Sequence, residues 1–93
     1  MASRRVLIVD DILQVRADLH TLLELAGDIE IVGEASTGTE AVALVAATRP
    51  DVVLMDVRMP DGDGLWATEQ IALNPQLAST HIVIVTTFEL DEY

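Results

Sequence analysis

The residues best equipped for chemistry in this 93-residue chain are Asp10, Asp11, Asp56 and Thr86. Each group follows a short apolar run. Asp10-Asp11 closes Val6-Leu7-Ile8-Val9, Asp56 closes Val52-Val53-Leu54-Met55, and Thr86 closes Ile82-Val83-Ile84-Val85. Carboxylates gathered in one crevice repel each other, so without a cation at least one pKa must rise. A hard divalent cation relieves the repulsion, and Mg²⁺ suits a few carboxylates, a carbonyl, waters and phosphate oxygens. The same cation would neutralise charge on a phosphoryl group in transfer to a carboxylate nucleophile. In that chemistry Asp56 is the nucleophile, and Thr86 donates a hydrogen bond to a phosphoryl oxygen once Asp56 is modified. Read singly, these residues have plainer explanations. Asp10-Asp11 is also what caps a helix, and a Thr at a strand end is common. Spacing alone leaves both readings open, and the joint placement at strand ends is what favours the chemical one.

The elements that would position these groups are legible in the hydrophobic pattern. Val6–Val9 is wholly apolar and β-rich, as in strands buried on both faces. From Ile12 to Ala26 apolar residues recur at helical spacing (Val15, Leu19, Leu22, Leu23, Ala26), and Gly27 is a plausible helix stop. Ile29–Val32 reads as a second strand. Thr37-Gly38-Thr39-Glu40 opens a helix reaching about Thr48, with Thr37 and Glu40 at capping-box spacing. Pro50 breaks it. Asp51–Asp56 is a third strand, Met59–Gly64 a loop by composition, and Leu65–Leu73 a third helix ended by Asn74-Pro75. His81–Thr86 is a fourth strand, and Phe88 opens what reads as another helix. Strands alternating with helices imply right-handed crossovers and an α/β fold whose parallel sheet is covered on both sides. Sites in such sheets form at the carboxyl ends of the strands, where strand order reverses. In a flavodoxin-like, doubly wound order 2-1-3-4-5, strands 1 and 3 are neighbours and strand 4 lies beside 3. Asp10, Asp11, Asp56 and Thr86 then converge on one crevice.

Composition narrows the partners. The formal net charge is −11, from 16 acids against 5 bases. That argues against this chain itself gripping nucleic acid, where a basic patch is expected. There is no Cys, so no disulfide framework or thiolate metal site. No apolar run approaches the roughly 20 residues of a membrane span, and the apolar run after Arg5 is too short for a signal-peptide core. The expectation is one small cytoplasmic domain. Asp61-Gly62-Asp63-Gly64 superficially suggests a calcium loop, but the sixth and twelfth positions counted from Asp61 hold Trp66 and Ala72, not the Gly and Glu that loop needs. No glycine-rich nucleotide loop is present. His20 and His81 stand apart and read as structural or solvated, Trp66 as packing or a surface aromatic, and Met55 and Met59 as packing.

The chain resembles, along essentially its whole length, the receiver domain of bacterial two-component response regulators. The resemblance rests on Val6-Leu7-Ile8-Val9-Asp10-Asp11, on Leu54-Met55-Asp56-Val57-Arg58-Met59-Pro60-Asp61-Gly62-Asp63-Gly64, and on Ile82-Val83-Ile84-Val85-Thr86-Thr87. The wording of Gly33-Glu34-Ala35 and Thr87-Phe88 is most similar to the class whose output is a LuxR-type helix-turn-helix. The resemblance implies that Asp56 is a phosphoacceptor served by a histidine kinase phosphohistidine. It also implies that Asp11, Asp56 and the Arg58 backbone carbonyl bind Mg²⁺ directly, with Asp10 acting through water. Thr86 is then the switch hydroxyl, Thr87 a small side chain beside the site, Pro60 and Gly64 shape the loop, and the Arg58 side chain lies at the site's mouth.

Two departures accompany it. The family carries a Lys at the end of a fifth strand, and this chain has no Lys. The fifth strand, the last helix and a DNA-binding output domain also have no counterpart here. The expectation is therefore a receiver domain spanning residues 1–93, truncated after strand 4, whose contact with DNA runs only through an absent output domain. Strand 4 should then be a bare sheet edge, open to self-association or element swapping with another copy. Two other functions compete. An Asp-nucleophile phosphatase would place a second Asp two residues after the nucleophile, where Arg58 stands. A receiver-like interaction module that never accepts phosphate fits the missing Lys but leaves the acid trio unexplained.

Overall fold

Four aliphatic runs become four parallel strands, β1 (Arg4–Val9), β2 (Ile29–Ala35), β3 (Val52–Asp56) and β4 (His81–Val85), in the sheet order β2-β1-β3-β4. Helices α1 (Leu13–Ala26), α2 (Gly38–Thr48) and α3 (Asp63–Ala72) join them, with a short 3₁₀ turn at Pro75–Leu77. The computed structural model describes residues 3–60 and 63–85. Thr86, Thr87, the segment from Phe88 onward and Asp61-Gly62 lie outside the described residues. The observed order is the doubly wound, flavodoxin-like order expected from the sequence.

Strand alternation divides the core. Leu7, Val9, Val53 and Met55 point to one face and pack with Ala41 and Val45 of α2 and Ala67 and Ile71 of α3. Val6 and Ile8, also buried, point to the other face, which α1 covers. No residue of α1 is fully buried. Val15, Leu19 and Leu23 are half-buried and form its sheet-facing stripe, whereas Leu22 is 62% exposed and Ala26 is exposed, so the broader stripe expected from the sequence narrows to an i, i+4 row.

Turn chemistry ends α1 and α2 where expected. Gly27 caps α1 at φ 74, a left-handed conformation that costs glycine little. Thr37 caps α2, its Oγ accepting from the Glu40 N–H at 3.1 Å. Glu40 reaches back, but to the Ser36 N–H at 2.9 Å and the Ser36 hydroxyl at 2.8 Å. Those bonds hold the Glu40 carboxyl below its usual pKa. Arg49 closes α2 in the left-handed region (φ 46), and the buried Pro50 follows. Arg5 donates to the Thr48 carbonyl at 2.6 Å, satisfying one of the carbonyls a helix end leaves open.

Three boundaries differ from the sequence reading by two residues or more, the first being the start of β1, at Arg4 and not Val6. β2 runs to Ala35, not Val32. Its register against β1 skips Val32, pairing Val6 with Ile31 and Leu7 with Gly33, and this bulge carries Gly33-Glu34-Ala35 along the end of β1. Pairing with a buried neighbour overrides the weak strand propensity of that tripeptide. α3 starts two residues early, at Asp63, and Asn74-Pro75 both ends it and opens the 3₁₀ turn, where the Asn74 side chain accepts from the Gln76 N–H at 2.9 Å.

Candidate functional site

β1 and β3 lie side by side, and the chain leaves β1 toward β2 on one flank and returns to β3 on the other, so the strand order reverses between them. Their carboxyl ends bring the acids together. One carboxylate oxygen from each of Asp10, Asp11 and Asp56 lies within 4.8 Å of the others. Asp10 and Asp56 are buried, 4% and 5% exposed, and Asp11 is exposed.

Each buried acid is held by its own turn. Asp10 Oδ1 accepts from the Ile12 N–H at 2.9 Å, and Asp56 Oδ1 accepts from the Arg58 N–H at 2.8 Å. Both are side-chain turns in which an Asp bonds the backbone two residues on. Burial, reinforced by the nearby Asp56 and Asp11 charges and only partly offset by the Ile12 N–H, raises the Asp10 pKa. Carboxylate oxygens gathered this closely suit a hard cation with oxygen ligands, which would relieve their repulsion.

The loop after Asp56 is pressed against the strand that carries it. A Cβ on Gly64 would stand 2.7 Å from Val57 Cα and closer still to the Asp56 carbonyl oxygen, so only glycine permits this return. Asp63 then crosses to the other side of the site, its Oδ2 accepting from the Gly38 N–H at 2.5 Å. A negative side chain at a helix N-terminus is favourable both for the open N–H groups and for the helix dipole. The contact ties α3 to α2 and closes a cleft of about 350 Å³ lined by Asp11, Ser36, Thr37, Met59, Pro60 and Asp63.

Of the residues expected at the site, Asp10, Asp11 and Asp56 come together, and Pro60 lines the adjoining cleft. Arg58 follows Asp56 with its side chain exposed. Val85 is the register partner of Asp56, while Thr86 and Thr87 lie outside the described residues. Met55 and Met59 are buried as expected, Trp66 is 42% exposed, and His20 sits between Glu34 and Glu24 at 3.2 and 3.3 Å. The sequence reading missed Asp63 and Arg16. Arg16, with its side chain 15% exposed, donates to the Asp10 carbonyl at 2.7 Å and to Glu34 at 3.2 Å. A signal for it existed: Arg16 and His20 stand at i, i+4 beside the apolar row Val15, Leu19 and Leu23, on the face that meets the sheet.

Residues 6–93 match the family of response regulator receiver domains. Transcriptional regulatory protein LiaR of Bacillus subtilis is 44% identical over 88 residues, covering 95% of this chain and 41% of LiaR. Protein-glutamate methylesterase/protein-glutamine glutaminase 3 of Anaeromyxobacter dehalogenans is 46% identical over 88 residues, covering 95% of this chain and 25% of that protein. Among solved structures, a LuxR-family two-component response regulator from Aurantimonas superposes with a TM-score of 0.83 at 32% identity, covering 95% of this chain and 61% of that one. The chain thus spans less than half the length of either curated relative. No described helix is long and apolar enough to cross a membrane. The topology, the acids at the strand-order reversal and these similarities agree: the chain belongs to the response regulator receiver domain family, with LuxR-type regulators among its relatives.

Proposed function

We propose that the chain is the phosphoacceptor of a two-component pathway, taking a phosphoryl group on Asp56 from the phosphohistidine of a histidine kinase. The observation that carries this reading is the convergence of Asp10, Asp11 and Asp56 within 4.8 Å at the ends of β1 and β3, two of them buried. An Asp56 carboxylate oxygen forms a bond to phosphorus as the phosphorus–nitrogen bond to the histidine breaks. The imidazole leaves with the electron pair, and an acyl phosphate remains on Asp56. Asp11, Asp56 and the Arg58 backbone carbonyl would hold Mg²⁺ directly, with Asp10 through water. Bound there, the cation supplies neutralisation of the charge that the carboxylates and the phosphoryl oxygens bring together. The Arg58 N–H fixes the rotation of the Asp56 carboxylate. Thr86 is assigned the switch hydroxyl and Thr87 the small neighbour.

In this reading the domain assists its own phosphorylation and dephosphorylation and is not a multi-turnover enzyme. It acts in the cytoplasm and controls a DNA-binding output domain, hence transcription, within a longer protein. Self-association with a second copy belongs to the same reading, supported by Val83 and Ile84 of β4, which are 47% and 46% exposed on opposite faces. The exposed Arg58 two residues past Asp56 gives a phosphatase-like reading no second acid.

The test is incubation with Mg²⁺ and a small phosphodonor, read by mass spectrometry. The expected result is a gain of one acid-labile phosphoryl group, lost in Asp56→Asn. No adduct on the unmodified chain refutes the reading for this chain, and multi-turnover phosphate release from unrelated esters favours an enzyme instead.

A further inference from the structure

We infer that Arg16 is a positioning residue for the acid site: its guanidinium, braced by Glu34, locks the peptide between Asp10 and Asp11 and so sets the direction of the Asp11 carboxylate. The inference rests on the metal-binding reading above. Asp11 is the one exposed member of the trio, so packing does little to hold it. Its backbone is held instead. The Asp10 N–H donates to the Ala35 carbonyl at 3.0 Å. The Asp10 carbonyl, in the same peptide plane as the Asp11 nitrogen, accepts from Arg16 NH1 at 2.7 Å. The far side of the turn is closed by the same residue, whose backbone N–H donates to the Ile12 carbonyl at 3.2 Å.

Arg16 is in turn held by a second element. Its Nε donates to Glu34 Oε1 at 3.2 Å, and Glu34 Oε2 meets His20 Nδ1 at 3.2 Å. Glu34 stands opposite Ile8 only because of the bulge at Val32, so the extended end of β2 delivers the brace. A planar fork of donors can serve a carbonyl and a carboxylate together, and an ammonium at the end of a flexible stem cannot hold both in the same way. Groups that orient metal ligands without touching the metal typically change affinity by about 10–100-fold.

Electrostatics alone predicts the opposite sign. Arg16 is a cation close to an acid cluster, so removing it should strengthen attraction for a divalent cation. Positioning predicts weaker binding, because an unlocked Asp11 must be ordered when the metal arrives.

The experiment is calorimetric titration of Mg²⁺ into the protein and its Arg16→Met, Arg16→Lys and Glu34→Gln variants, under conditions where circular dichroism shows each folded. The backbone order of the Asp11 amide is followed by NMR relaxation without metal. The expected result is about tenfold weaker Mg²⁺ binding and a more mobile Asp11 amide in Arg16→Met, the same loss in Arg16→Lys, and about threefold in Glu34→Gln. Unchanged or tighter binding in Arg16→Met, beside a rigid Asp11 amide, overturns the inference. If Arg16→Met does not fold, full-strength binding in both other variants overturns it. An unmodified protein that takes no Mg²⁺ refutes the metal-binding reading instead, and the Asp11 amide then decides whether Arg16 locks the turn.

Discussion

β1 and β4 flank β3 on either side and carry nearly the same words, Val6-Leu7-Ile8-Val9 and Ile82-Val83-Ile84-Val85. Their fates differ. The β1 residues are 4%, 0%, 0% and 1% exposed, while Val83 and Ile84 of β4 remain about half exposed. Composition and strand propensity cannot separate these two runs. What separates them is rank in the sheet and the layers above it. β1 has a strand on each side, α1 on one face, and α2 and α3 on the other. β4 pairs on one side only among the described residues. The acid site follows the same division. Two of its carboxylates are buried at the ends of β1 and β3, where a low-polarity surround strengthens every charge interaction.

The comparison breaks most readily at Leu7. Leu7→Ala empties a fully buried position between α2, α3 and β3, and the expected loss is about 3 kcal/mol in urea unfolding. A loss under about 1 kcal/mol would show that β1 is not the core strand described here. Gly38→Ala tests the layer that covers β1. Its Cβ would stand 2.9 Å from Asp63 Cγ and closer to the Asp63 backbone, so α2 and α3 must separate, at an expected cost of about 2 kcal/mol.

Asp10→Asn should move the other way. The folded-state pKa of Asp10 is raised by burial and by its acidic neighbours, so the folded protein binds this proton more tightly than the unfolded chain does. That contribution favours the fold below the unfolded pKa of 3.8 and is lost as pH rises through the folded value. With a chelator present, the variant should be the more stable protein at pH 7, and its advantage should shrink as pH falls toward 3.8. Urea unfolding at both pH values checks the sign, and equal stability at pH 7 would remove the charge conflict from the account. The smallest effect belongs to β4. Val83→Thr, at a half-exposed position, should stay within about 0.5 kcal/mol of the parent. The contrast with Leu7→Ala is the measured form of the difference between the two strands.

The sequence also foresaw unequally. Element order was legible because strand and helix periods alternate cleanly and because Gly27, Thr37 and Pro50 punctuate them with specific backbone chemistry. The reach of β2 to Ala35 was not, since Gly33-Glu34-Ala35 is a strand only by virtue of the bulge and the partner it gains. Asp10, Asp11 and Asp56 were legible as strand-end acids. Arg16 and Asp63 were not, because their partners, Asp10, Glu34 and Gly38, lie elsewhere in the chain: the i, i+4 pair Arg16 and His20 marks a face of α1 without naming what that face meets.

The sequence by itself thus determined which acids stand at the strand ends and the alternation of strand and helix that makes a parallel sheet. Local periodicity and turn residues suffice for that, since both act through neighbours in the chain. Only the tertiary structure decided that Val6–Val9 would be buried on both faces and Ile82–Val85 would not, that the Asp10 pKa would rise, and that an arginine one turn into α1 would hold the peptide leading to Asp11. Burial, charge proximity and a brace between elements are properties of distance, and distances between remote residues exist only once the chain has folded.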